Sequence, residues 1–424
     1  MRSDTRQAAV LAAGSVVNGL LTYVFFAIST RALGAMAAAP ISVLWAYWGF
    51  AAAALTFPLQ HWVARSVAAY GGEGQVRAGL VRIISATVGL CIVTGSASWL
   101  LGDAMFRTDP AAFAALVAAV TGGSAFIGLV RGALTARQQF TQLAIAVAGE
   151  GTIRCAGSAV LLAIGNTDPV AYGVVLFAGQ LVGLAWPRSV RFGAGVQRTP
   201  RSRPAGFLGA SASGQLAGQT ILVGGPVLLT FLGGSPADVT ALFAGLALFR
   251  APYTLAIGVL PRLTGRLTAL VVDGRRQTLG RMHRTVVVVT AVLLPPAAAV
   301  GAFIGPPVIR WVFGASVQLG MLPTSLVSLG SVLAMSNLVA TVTVLAHGRA
   351  VALIRAWGAG ALAAVAAVSA VRVLAVPSIA APTASLLATC IAFAVAEAVA
   401  FGLLIIEGVR ASRAIVPGPG HDAG

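Results

Sequence analysis

The sequence predicts an all-α membrane protein with twelve transmembrane helices, arranged as two six-helix bundles related by a pseudo-twofold axis along the membrane normal. Three observations predict it. The 424 residues are 58% hydrophobic and only 9% charged, with a mean hydropathy of +0.91. A soluble domain is about 25% charged, so too few polar side chains are present to coat a water-facing surface. The arginines alternate from loop to loop, and a weak internal repeat recurs at about 200 residues.

Hydropathy places the spans at 8–30, 38–59, 79–101, 111–134, 140–164, 169–187, 207–232, 237–260, 285–309, 321–346, 351–374 and 383–406. Most are close to the roughly 20 apolar residues that a bilayer crossing requires. The first has Arg2 and Arg6 before it, as a signal peptide would. Its apolar run is longer than the h-region of such a peptide, and Arg31 closes it like a loop residue, so it reads as a helix.

All 28 basic residues are arginines. With arginines in the first or last five residues of a span counted with the adjoining loop, as Arg82, Arg131, Arg355 and Arg372 are, alternate tails and loops hold 22 of them against 4 in the others, and Arg154 and Arg250 lie deep inside spans. Cytoplasmic loops carry the positive excess, so both termini are expected in the cytoplasm. The largest basic segments join spans 6 and 7 (Arg188, Arg191, Arg198, Arg201, Arg203) and spans 8 and 9 (Arg262, Arg266, Arg275, Arg276, Arg281, Arg284). They serve as topological anchors on anionic headgroups, or gather an anionic substrate at the cytoplasmic mouth. The net charge of +17 is thereby a topological signal, and no nucleic-acid partner is expected.

Two halves overlap in the repeat. Ser29-Thr30-Arg31-Ala32-Leu33-Gly34 falls over Leu229-Thr230-Phe231-Leu232-Gly233-Gly234, and Ala64-Arg65 near Gly265-Arg266. An acid–glycine turn follows in each half (Gly72-Glu73-Gly74 and Val272-Asp273-Gly274), then Arg82 or His283 opens the next span. An even number of spans per half makes this a parallel repeat, whose members bind cargo near mid-depth. The expected organisation is a bundle over 1–195, a Pro/Ser/Arg-rich linker over 196–206, a second bundle over 207–410 and a flexible tail over 411–424.

Charges inside the spans mark candidate sites, because each costs roughly 2.5–3.5 kcal/mol to insert. Glu150 and Arg154 stand one helical turn apart on span 5. They form an intrahelical ion pair, or a proton or cation site with a cationic ligand for substrate. Glu397 lies in Ala-Val-Ala-Glu-Ala-Val-Ala and is either a neutral acid facing other helices or a coupling group. Arg250 stands in Leu248-Phe249-Arg250-Ala251-Pro252-Tyr253, midway along span 8, where Pro252 removes a backbone hydrogen bond. A guanidinium cannot shed its charge, so it needs an acid from another helix or an anionic ligand, for which phosphate suits its planar fork. Gly224-Gly225-Pro226, Pro295-Pro296 and Pro58 also interrupt spans, as a rocking transporter would use them.

The residue pattern argues against an enzyme. Cys91, Cys155 and Cys390 are far apart in apolar runs, and His61, His283, His347 and His421 form no ligand cluster, so neither a metal nor another cofactor is expected. Without lysine no phosphate-binding P-loop is formed. Asp103, Asp109, Asp168 and Asp238 are scattered singly in short outer loops, which leaves a polytopic glycosyltransferase or acyltransferase without an acid or histidine cluster.

Several blocks carry a family resemblance. They are Ser29–Gly34, Phe57-Pro58-Leu59-Gln60-His61-Trp62-Val63-Ala64-Arg65, Phe249–Tyr253 with Leu260-Pro261-Arg262, and Val308-Ile309-Arg310-Trp311-Val312-Phe313-Gly314. The chain resembles the multidrug/oligosaccharidyl-lipid/polysaccharide (MOP) exporter superfamily, and within it the Wzx-type polysaccharide flippases of actinobacteria, up to about residue 410. The resemblance implies alternating access between two bundles and transport of an anionic polyprenyl-diphosphate-linked saccharide from the inner to the outer leaflet, for cell-surface polysaccharide synthesis. In related lipid II flippases, arginines of helices 1, 2 and 8 line the cavity. Arg250 matches by helix and depth, whereas Arg31 and Arg65 match by helix only.

Arg250, Arg154 and Arg31 are therefore the expected substrate contacts, and Glu150 and Glu397 the coupling candidates. The expected partners are the lipid-linked saccharide, membrane lipids and a polysaccharide polymerase or glycosyltransferase, at a bacterial cytoplasmic membrane. The alternatives are a cation-coupled multidrug exporter of the same superfamily and a non-transporting scaffold of a polysaccharide-assembly complex.

Overall fold

The computed structural model describes residues 2–70, 73–193, 216, 218–257, 267, 270–271, 273–347, 349–374 and 381–414. The expected linker 196–206, the blocks at Pro261-Arg262 and Arg266, and the tail beyond 414 with His421 lie outside them.

Among the described residues the regular structure is helical throughout. Of the described helices, nine are long and apolar enough to cross a membrane, and two more apolar ones, Pro169–Ala185 and Pro236–Phe249, are shorter. These match eleven of the twelve expected spans. The remaining one, 207–232, is described mainly through Gly225–Phe231.

The chain folds as two compact units. The first comprises Met1–Phe231, Ser235–Thr240 and Val312–Val317. Its helices are α1 (Arg2–Ala37), α2 (Ala39–Ala51), α3 (Phe57–Tyr70), α4 (Gly74–Leu100), α5 (Gly102–Met105), α6 (Pro110–Ala136), α7 (Phe140–Ala163), α8 (Pro169–Ala178) and α9 (Gly225–Phe231). The second comprises Leu232–Gly234, Ala241–Trp311 and Gln318–Gly424. It holds most of α10 (Pro236–Phe249), then α11 (Ala251–Ile257), α12 (Arg276–Ala299), most of α13 (Gly305–Phe313), α14 (Met321–Ala346), α15 (Ala350–Leu374) and α16 (Ala381–Ala414).

Local sequence accounts for the boundaries. Asp109 and Asp168 cap α6 and α8 by accepting from the Ala112 and Val170 amides, and a proline follows each at the first helical position. Gly34 takes φ 74°, a left-handed conformation that a residue with a Cβ resists, and it kinks α1 near its C-terminal end. A π turn at Ala52–Thr56 joins α2 to α3, and another at Val300–Ile304 joins α12 to α13.

The fourth span of each half is central within its own unit. In the first unit α6 packs on α2, α3, α4, α7 and α8 and buries Phe113, Val117, Val120, Ile127 and Val130. In the second unit α14 packs on α11, α12, α15 and α16 and buries Val327, Leu333, Ala340 and Val344.

Candidate functional site

The first buried charge cluster lies on α6, α7 and α8. Glu150 is 2% exposed on α7, and Arg154, one turn along, is fully buried. The Glu150 carboxylate accepts from Arg154 Nη2 at 2.5 Å and also from Arg131 Nη2 on α6. Arg154 Nε donates to the Leu176 carbonyl at 2.9 Å, and its guanidinium carbon lies 4.4 Å from the centre of the Trp48 ring. Gly179 lets this packing close. A Cβ there would sit 2.6 Å from Arg154 Nε and 2.8 Å from the Glu150 carbonyl oxygen.

Helical spacing predicts the intrahelical pair but not Arg131. Arg131 falls near the end of expected span 4 and is counted with the loop that follows, but α6 runs to Ala136 and buries it. The signal was available in Gly128-Leu129-Val130-Arg131-Gly132-Ala133-Leu134, where apolar residues continue past the arginine. Two guanidiniums and one carboxylate leave this cluster with a formal charge of +1.

The second cluster belongs to the second unit. Arg250 stands at the break between α10 and α11, where its amide still bonds the Leu246 carbonyl at 3.1 Å. Its side chain is buried, with the guanidinium carbon 5.0 Å from the centre of the Phe393 ring. Glu397 on α16 is 1% exposed and lies within electrostatic reach of Arg250 and of Tyr253. Asn337 on α14 binds it twice, its Nδ2 donating to Oε2 at 2.7 Å and to the Glu397 carbonyl at 2.9 Å. Glu397 Oε1 and Asn337 Oδ1 are buried without a hydrogen-bond partner among the described residues. Asn337 is a second residue that sequence reasoning missed. Its amide inside Ala334-Met335-Ser336-Asn337-Leu338-Val339 was the available mark.

A cavity of about 600 Å³ lies beside this cluster in sequence, walled by Phe249, Pro252 and Tyr253 with residues of α12 and α14. Arg31 lies elsewhere, exposed at the end of α1, with Nε donating to the Val312 carbonyl at 2.9 Å. The five expected residues are thus distributed as one pair with an added arginine, a second pair in the other unit, and Arg31 apart from both.

No protein-family model matches the chain, and no curated protein does. Solved structures do. An inward-facing multidrug resistance MATE family transporter of the MOP superfamily matches with a TM-score of 0.70 at 12% identity, over 96% of this chain and 100% of that one. The fold is that of MOP-superfamily transporters. The lipid II flippase MurJ, in an inward closed conformation, shares this MOP fold at a TM-score of 0.58 and 14% identity, covering 96% of this chain and 90% of its own. A MOP superfamily transporter from Pyrococcus furiosus, described as having a binding pocket of reverse polarity, matches at 0.58 and 13%, covering 96% of each chain. Arg131, Glu150, Arg154 and Glu397 lie in helices long and apolar enough to cross a membrane, and Arg250 directly follows the shorter apolar helix Pro236–Phe249.

Proposed function

We propose that the chain is a non-enzymatic flippase that moves an anionic polyprenyl-diphosphate-linked saccharide across a bacterial cytoplasmic membrane by alternating access, for cell-surface polysaccharide synthesis. Two six-helix lobes, 1–195 and 207–410, carry out the exchange, with both termini cytoplasmic and the basic loops held against anionic headgroups. The Wzx-type branch is the reading within the superfamily, and the MurJ fold is a precedent for lipid-linked cargo.

The observation that carries this reading is Arg250, a permanently charged group buried in an apolar span at a helix break. A guanidinium held there lowers the cost of bringing a diphosphate into a medium of low dielectric, where charge-assisted bonds are strong. Arg154 and Arg31 are the secondary contacts, and a polymerase or glycosyltransferase is the partner that supplies or uses the saccharide. The test is glycan export in a deletion strain complemented with Arg250 variants. Arg250→Lys retains more export than Arg250→Ala, and Arg250→Glu abolishes it. Equal export from all three removes Arg250 from the site.

One observation favours the drug-exporter alternative, the Glu397 carboxylate with one oxygen unbonded. In that reading Glu397, with Glu150 as the other candidate, exchanges a proton for the drug. A Glu397→Gln variant that loses drug resistance, in a strain whose glycan is unchanged, would favour it.

A further inference from the structure

The cavity of the second unit has a lining that decides what it accepts. About 600 Å³ falls within the roughly 300–1,000 Å³ of small-ligand pockets. Val286, Val289, Leu293, Val332, Met335 and Val339 form most of its wall. Four hydroxyls of the lining, those of Thr290, Ser328, Ser331 and Ser336, are engaged with backbone carbonyls. Thr290 donates to Val286 O at 2.7 Å and shares a bond with Ser336, Ser336 donates to Val332 O at 3.1 Å, and Ser331 donates to Val327 O at 2.8 Å. Ser328 donates to Ala297 O at 2.8 Å, ahead of the π turn. A polar guest would give up water and find few free donors, whereas a hydrocarbon gives up nothing.

Access follows from α12. The span it opens is the least buried of the nine long ones. Val289 and Leu293 both line the cavity and are nearly half exposed. Exposed apolar surface of this kind on a helix long and apolar enough to span suits contact with acyl chains, which would reach the cavity past Val289 and Leu293. At its other side Phe249, Pro252 and Tyr253 bracket Arg250 in sequence. Arg250 itself is not part of that wall and packs on Phe393, so the break sets an apolar wall next to a buried cation along the chain, the two chemistries an amphiphile with an anionic head requires.

We infer that this chamber between α11, α12 and α14 binds the prenyl tail of the anionic lipid cargo, so that the tail is carried within the second unit and does not simply remain in bulk lipid. The choice of a prenyl tail over a phospholipid chain rests on the flippase reading; the chamber itself rests on its lining.

The experiment irradiates the full chain in nanodiscs with a polyprenyl phosphate bearing a diazirine in its tail, and in parallel with phosphatidylglycerol bearing a diazirine in one acyl chain. The prenyl probe is expected to label the chamber walls on α12 and α14, and Val289→Trp is expected to lower that labelling about tenfold, as a loss of binding of that size would. Val339→Phe obstructs the chamber from α14 and must do the same, so the inference does not depend on one variant folding. Prenyl labelling spread over the outer surface and unchanged by either variant overturns it, as does stronger chamber labelling by phosphatidylglycerol. Chamber labelling that persists in Arg250→Ala while glycan export is also unchanged upholds the chamber and defeats the Arg250 reading of function. The two failures are thus separable.

Discussion

Arg131 on α6 binds the same Glu150 carboxylate that Arg154 holds from one turn away on α7. The acid is therefore the hinge of a three-group cluster, and losing it leaves two buried guanidiniums facing each other. Removing one partner from a buried ion pair costs roughly 3–5 kcal/mol. Glu150→Gln is expected to lower stability by about that much, read as thermal unfolding in detergent. Arg131→Met leaves a neutral pair and should cost clearly less. If Arg131→Met proves as damaging as Glu150→Gln, the shared-carboxylate account fails.

Gly179→Ala tests the same cluster by shape alone. The new methyl would overlap Arg154 Nε and the Glu150 backbone oxygen. Overpacking of this kind typically costs roughly 1–3 kcal/mol. The expectation is a fall in unfolding temperature that Arg154→Met, which vacates the space, reduces in the double variant. A neutral Gly179→Ala variant would contradict the packing.

Glu397 depends on Asn337 for its hydrogen bonds. Asn337→Leu leaves the acid without that donor, and a buried polar group so abandoned costs about 1–3 kcal/mol. Pairing it with Glu397→Gln in a double-mutant cycle should give a coupling clearly different from zero. Additive losses in thermal stability would show that the two side chains do not act together.

A clasp outside the spans supplies a pH prediction. Glu73 accepts from Arg137 Nε at 2.8 Å and from the Gly193 amide at 2.8 Å, while Arg137 also donates to the Arg188 and Arg191 carbonyls. Burial works against the charge on Glu73, but the bonds from Arg137 and Gly193 and the charge of Arg137 outweigh it and hold the carboxyl below its ordinary range. A depressed folded-state value contributes stability above the unfolded carboxylate range and loses it as pH falls through the folded value. Wild type should exceed Glu73→Gln in thermal stability at pH 7, and the gap should close below about pH 4. A gap that is flat through the acid range would place the effect elsewhere.

Much of this was legible from pattern. The spans followed from apolar runs, and the pairing of Glu150 with Arg154 followed from helical spacing, because neighbours within one helix are fixed by its pitch. Arg131 escaped because it lies in the last turn of its expected span, where a side chain can reach the headgroups or turn into the core, and packing decides which. Asn337 and Phe393 escaped because they lie about 87 and 143 residues from Arg250, and no periodicity links such distances. Arg31 was expected beside cargo, and the structure gives it a backbone carbonyl as a hydrogen-bond acceptor.

By itself the amino-acid order determined that this chain lives in a bilayer as a set of helices, since 9% charge cannot cover a water-facing surface. It also singled out Glu150, Arg154, Arg250 and Glu397 as residues needing a reason to be there. Tertiary packing alone decided the answers: a second arginine for Glu150, an amide for Glu397, an aromatic ring for Arg250 and an apolar chamber beside its helix break. The physical reason is that membrane insertion is a sum over residues along one helix, whereas satisfying a buried charge needs atoms from other helices, brought within about 3 Å only when they pack.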